Sequence, residues 1–260
     1  MFVDVHIHLA DSAYAGKVNA LLETARKENV VALVANSVDL ETARVSVTLS
    51  KCTPELVYAA VGVHPWNAQT TKSEEVSQID NLVQETKGQI IAVGEIGLDK
   101  SYAKTSEHFE QQRWFFEKQL DLAERMDLPV IVHSRSSARD VLDTLKSRNL
   151  KKVLMHWYSG PVEYVKEICG SGWTLSLGPS VLYSGRAREV ALKASLESIL
   201  TETDGPVTYR GPFLGKETTP EFVRPVVEEI ARLSRTDFGT ISNQILENFY
   251  RFFEVKRRAF

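Results

Sequence analysis

Five of the six histidines in this 260-residue chain stand at or just past the end of a short apolar run: His6, His8, His64, His133 and His156. The sixth, His108, opens a long amphipathic stretch instead. In His6-Ile7-His8 the period-two geometry of a strand sends both imidazoles to one side, the arrangement of a chelating pair for a transition metal. Glu95 follows the apolar run IIAVG, and Asp204 follows SILTET. A carboxylate carried into an apolar setting is costly unless it is paired or bound to a cation. Singly, each of these residues also reads as a satisfied polar group at a strand end. Jointly, His6, His8, Glu95, His133, His156 and Asp204 form a set that ligates metal wherever strand ends converge. Four histidines and two carboxylates exceed the three protein ligands a catalytic zinc usually takes, so a second ion is expected. Glu95 has two oxygens and can span both ions.

The elements that must position this set alternate along the chain. Strands are expected at Phe2–Ile7, Val30–Ala35, Leu56–Val61, Ile90–Gly94, Pro129–Val132, Lys152–Met155, Trp173–Leu177 and Ser198–Thr201. Each is short and nearly all apolar, as strands buried on both faces are. Helical stretches separate them, among them Ser106–Met126, Val162–Ile168 and Glu221–Leu233. A last helix, Ser242–Phe253, is expected after a break at Gly239. Eight βα units in this length predict the α/β class and a single-domain (β/α)8 TIM barrel over residues 1–260. All the ligand candidates then fall at the C-terminal ends of strands, the catalytic face of such barrels. The irregular stretch 204–219 follows the eighth strand, where barrel enzymes keep functional loops.

Composition bounds the function. The net charge is -3, which argues against a protein that coats duplex nucleic acid by neutralising many phosphates, though not against an enzyme that grips a few nucleotides beside bound cations. Cys52 and Cys169 stand in no metal or redox spacing and read as reduced thiols, consistent with a cytoplasmic location. No signal peptide or membrane span is legible, and no obligate protein partner is evident.

The motifs DVHIHL, GVHP, GEIGLD, HSR, HWYSG and TETDGP, in this order across the whole chain, resemble the TatD family of metal-dependent deoxyribonucleases within the amidohydrolase superfamily. The resemblance implies a (β/α)8 barrel, divalent metal (Mg2+, Mn2+ or Zn2+) and hydrolysis of DNA, often from the 3′ end. It implies His6 and His8 on a first ion, Glu95 shared, His133 and His156 on a second, and Asp204 as the ligand that orients or deprotonates the attacking water. It further implies His64 as a substrate-side histidine. Arg135, near His133 in the sequence, could contact a phosphate or form a surface ion pair. Trp66 or Trp157 could stack on a base of a single-stranded substrate. Two departures stand out. Trp157-Tyr158 replaces the family's Cys-Phe, and Asp204-Gly205-Pro206 replaces its usual Asp followed by Ser-Pro or Ala-Pro. Two other readings remain at this level. One is a metal-dependent ester or amide hydrolase, such as an aminoacyl-tRNA deacylase. The other is an inactive binding protein on the same barrel. Cyclic amidases of the superfamily often bridge their metals with a modified lysine after the fourth strand, a position that Glu95 fills here.

Overall fold

Every expected strand forms, and each pairs in parallel with the next in sequence. The computed structural model describes residues 1–86 and 88–257, so the last three residues of the expected 1–260 unit lie outside the described residues. The strands are β1 (Phe2–Ile7), β2 (Val30–Asn36), β3 (Val57–Val61), β4 (Ile90–Gly97), β5 (Val130–His133), β6 (Val153–Met155), β7 (Thr174–Leu177) and β8 (Ile199–Thr201). They form one parallel sheet in the order β1 to β8. Helices α1 (Val18–Lys27), α2 (Leu40–Cys52), α3 (Ser73–Glu85), α4 (Ser106–Met126), α5 (Ala138–Lys146), α6 (Val165–Gly170), α7 (Gly185–Lys193) and α8 (Val223–Ser234) follow the strands in turn, and α9 (Phe238–Phe253) comes after α8. This is the (β/α)8 barrel.

The barrel is closed at the β1–β8 seam by side chains as much as by backbone. Thr201 Oγ1 donates to the Val3 carbonyl (2.7 Å), and Thr203 donates to the Asp4 carboxyl through both N (2.9 Å) and Oγ1 (2.6 Å). Asp204 N then donates to the His6 carbonyl at 2.8 Å, and His8 N to the Gly205 carbonyl at 2.8 Å. Asp4 is fully buried, and burial pushes it up to about 8 against the Thr203 donors. The seam therefore fixes β1 against the segment that carries Asp204.

Helix α4 packs as its periodicity predicts, with Phe115, Phe116, Leu120 and Leu122 in the core and a cap in which Thr105 accepts from His108 N. Truncating a fully buried Phe such as Phe116 to Ala would cost about 3–5 kcal/mol. Several element boundaries differ from expectation. The last helix starts at Phe238, so Gly239 is no break: it sits in the first turn, where Asp237 caps the helix by accepting from Thr240 N. The stretches Val162–Tyr164 and Pro220–Phe222 are 3-10 turns that lead into α6 and α8. Strand β4 runs on past the expected end at Gly94, through Glu95 to Gly97.

Candidate metal centre

Two strands carry an extra residue where a ligand candidate must be aimed. Between Asp4↔Leu33 and Ile7↔Ala35, β1 advances three residues while β2 advances two. Between Val93↔Val130 and Ile96↔Val132, β4 advances three while β5 advances two. A bulge of this kind turns a side chain out of the ladder, here at His6 and at Glu95. The glycines beside Glu95 permit it. A Cβ on Gly94 would lie 2.6 Å from that of Ile131, and one on Gly97, at φ +143°, would collide with the His133 carbonyl.

Glu95 stands at the centre of the resulting cluster, buried, with its two oxygens facing two different groups. Oε2 lies 3.2 Å from His6 Nε2 and 3.5 Å from His8 Nε2. On the same side Asp204 Oδ1 is 3.3 Å from His8 Nε2 and 3.6 Å from His6 Nε2. Oε1 lies 2.7 Å from His133 Nδ1, 3.2 Å from His156 Nε2 and 3.1 Å from His64 Nε2. The structure thus brings together His6, His8, His64, Glu95, His133, His156 and Asp204. His108 stands apart on α4.

The far side of each ring decides which nitrogen carries the proton. His8 Nδ1 is 3.1 Å from the Asn36 carbonyl, His133 Nε2 is 2.9 Å from Asp99, and His156 Nδ1 is 2.9 Å from Glu202. All three partners are acceptors, so these rings donate outward and turn a lone pair toward Glu95. His64 is the reverse. Its Nδ1 accepts from the Trp66 backbone N–H at 3.0 Å, so its proton sits on Nε2 and points into the site. Burial also pushes His64 down to about 4, leaving it neutral at pH 7. His64 is therefore a neutral donor, although its Nε2 lies within 4.8 Å of donor atoms on Glu95 and His133. His6 stacks on His156 with ring centroids 3.6 Å apart, and among the described residues its Nδ1 has no hydrogen-bond partner.

The electrostatics suit cations. Burial would raise the Glu95 carboxyl, yet His64, His156 and His6 together hold it well below the usual carboxylate range. Asp204 is likewise lowered, burial being outweighed by His156 and by the hydrogen bond with His8. Burial would lower His133 and His156, but Asp99 and Glu95 raise the first, and Glu202 and Glu95 raise the second. A buried pocket whose carboxylates stay ionised, and which favours positive charge on His8, His133 and His156 while burial lowers His6 and His64, is built to hold positive charge. Once the three raised rings give up a proton, their inward lone pairs and the carboxylates between them fit a divalent cation.

Three residues of the site were not among the sequence candidates: Asp99, Glu202 and Asn36. Asp99 accepts from His133, from Trp66 Nε1 (3.0 Å) and from Ser101 Oγ (2.5 Å), and these donors lower its carboxyl against the effect of burial. Glu202 accepts from His156 and from Ser176 Oγ (2.6 Å). Partners of this kind fix the tautomer and orientation of a ligating imidazole. A signal was present in the sequence, since Asp99 closes GEIGLD and Glu202 stands one strand period before Asp204.

The rim carries the departures. A Cβ on Gly205 would collide with the Tyr14 hydroxyl, which donates to the Thr218 carbonyl at 2.6 Å. Glycine after Asp204 is thus matched to Tyr14. Trp157, with φ 34°, donates from Nε1 to Ser180 Oγ (3.2 Å) and packs near Tyr209 at 5.4 Å. It belongs to a small apolar cluster with Tyr209, Phe213 and Phe222. Trp66 is 42% exposed, stacks on Tyr102 at 4.7 Å and lies 4.4 Å from His64. Arg135 is exposed on the loop after β5.

The chain has relatives of matching length. A model of the family described as TatD related DNase matches residues 3–254. An uncharacterized metal-dependent hydrolase of Methanocaldococcus jannaschii is 31% identical over 99% of this chain and 98% of its own. Human deoxyribonuclease TATDN3 is 31% identical over 98% of this chain and 95% of its own. The crystal structure of YjjV, a TatD homologue from Escherichia coli, superposes with a TM-score of 0.91 at 29% identity, covering 98% of both chains. A buried histidine and carboxylate cluster at the strand ends of a (β/α)8 barrel, matched over nearly its full length by these proteins, places this chain in the TatD-related DNase family of metal-dependent hydrolases.

Proposed function

We propose that this hydrolase cleaves phosphodiester bonds of single-stranded DNA from the 3′ end, with two divalent ions held on either side of Glu95. The observation that carries the reading is the division of the Glu95 carboxylate, with Oε2 toward His6 and His8 and Oε1 toward His133 and His156. His6, His8 and Asp204 would hold one ion, His133 and His156 the other, and Glu95 both. The chemistry such ions supply is Lewis-acid: activation of water near neutral pH and offset of charge on phosphoryl oxygens.

The remaining steps belong to the chain. Asp204, kept ionised by the histidines around it, orients the attacking water and accepts its proton. His64 donates from Nε2 to a non-bridging phosphoryl oxygen, where charge grows in the transition state. This donor must be neutral and fixed, and the Trp66 backbone N–H fixes it. The exposed ring of Trp66 offers a face on which the terminal base stacks. The name deoxyribonuclease on the human relative supports the same substrate class.

The test is a digest of 5′-labelled and 3′-labelled single strands with the Mn2+-loaded chain. The reading expects a ladder that shortens stepwise on the 5′-labelled strand and early release of mononucleotide from the 3′-labelled one. Hydrolysis of aminoacyl or lactone esters with intact DNA would overturn it.

A further inference from the structure

A cleft of about 660 Å³ opens on the same face of the barrel as the ligand cluster, bounded by the loops after β4, β5, β6 and β7. It is joined to the cluster through the backbone: Leu98 N donates to the His133 carbonyl (3.1 Å) and Lys100 N to the Arg135 carbonyl (3.3 Å). Four cations line it, Lys100, Arg135, Arg139 and Arg186. Two of them are committed. Lys100 pairs with Asp140 at 2.6 Å, and Arg139 is held by Glu167 (3.0 Å) and Asp143 (2.5 Å). The other two pair with no carboxylate among the described residues, although Asp140, held by Lys100, also lines the cleft. Arg186 donates only to the Ser159 carbonyl (3.3 Å), and Arg135 has no side-chain ion pair. Both are exposed.

Two guanidiniums without an ion pair, Arg135 on the loop after β5 and Arg186 in the first turn of α7, share one polar cleft beside a site read as phosphodiester-cleaving. We infer that this cleft is a second phosphate subsite: Arg135 and Arg186 grip a backbone phosphate neighbouring the scissile one. Guanidinium binds phosphate through paired N–H donors, a match that a lysine point charge does not give. The inference rests on the phosphodiesterase reading and narrows it, because the favoured substrate becomes an oligonucleotide with more than one phosphodiester.

Two arms test this. The first compares KM for tetrathymidylate with KM for bis(4-nitrophenyl) phosphate, which has a single phosphodiester. Arg186→Gln is expected to raise that ratio about tenfold, the size of one lost charge-assisted phosphate contact. The second measures anisotropy of 5′-fluorescein tetrathymidylate on the chain in EDTA, where no hydrolysis intervenes. Arg135→Gln and Arg186→Gln should each weaken binding about tenfold and flatten its salt dependence. An unchanged ratio with unchanged anisotropy in both variants overturns the subsite. If the unaltered chain cleaves neither substrate, the phosphodiesterase reading fails, and the anisotropy arm still decides whether the cleft holds the strand.

Discussion

The floor and the rim of the barrel mouth are built by different physics. On the floor, Glu95, His6, His64 and His156 are buried, and His8, His133, His156 and His64 each have an outer nitrogen tied to a fixed partner. Two strand bulges and the Asp4–Thr203 seam aim the set. On the rim, Arg135 and Arg186 are exposed and Trp66 and Tyr102 stack in the open. A floor of this kind fixes what reaction is done and tolerates little change. A rim of this kind decides what is held in place for it. Floor variants should therefore move kcat, and metal content where the residue is a ligand, and rim variants should move KM.

The largest expected effect is at Asp204. Asp204→Asn keeps the volume and removes the proton acceptor, so kcat should fall about 10²- to 10⁴-fold with melting temperature within a few degrees. Full activity in that variant would take Asp204 out of the mechanism. Next is His64, which separates a donor from a ligand. His64→Ala should lower kcat about 10²-fold or more while metal analysis finds the same content as before. Loss of an ion would show that its Nε2 carries a lone pair, contrary to the tautomer argued from the Trp66 N–H.

Much of the floor could be read from the sequence because each ligand candidate ends an apolar run. His133 closes VIVH and His156 follows VLM, and strand ends are what a barrel gathers. Gly94 and Gly97 beside Glu95 speak in the sequence for close backbone approach, which the structure shows, but the bulges themselves could not be read, because they depend on register between strands. Asp99, Glu202 and Asn36 escaped for a related reason. Which carboxylate meets the outer nitrogen of a ring depends on which neighbouring strand lies beside it. The role of His64 came from the family resemblance, and its physical basis appears only in the backbone N–H that its Nδ1 accepts. Arg135 could be named from its place beside His133, but the cleft could not, since Arg186 belongs to no motif and lies far away in sequence.

Those outer partners give the third prediction. Glu202→Gln should weaken metal binding about 10- to 100-fold by releasing the His156 ring, measured by competition with a chromogenic chelator. Unchanged affinity would mean that stacking on His6, at 3.6 Å, orients the ring unaided. The smallest effect sharpens the rim side of the comparison. Trp66→Ala should raise KM for single-stranded DNA about tenfold through lost base stacking, with metal content unchanged. If kcat fell instead, Trp66 would belong to the floor, acting through Asp99 and His64.

The central claim is that Glu95 joins two ions, and manganese reports on it directly. Mn2+ titrated into the metal-free chain and followed by electron paramagnetic resonance should bind with two ions per chain, the second giving the exchange-coupled signal of ions about 3.5 to 4 Å apart. Glu95→Gln should abolish the coupling. A single uncoupled ion per chain, or a coupled pair that survives Glu95→Gln, would contradict the account.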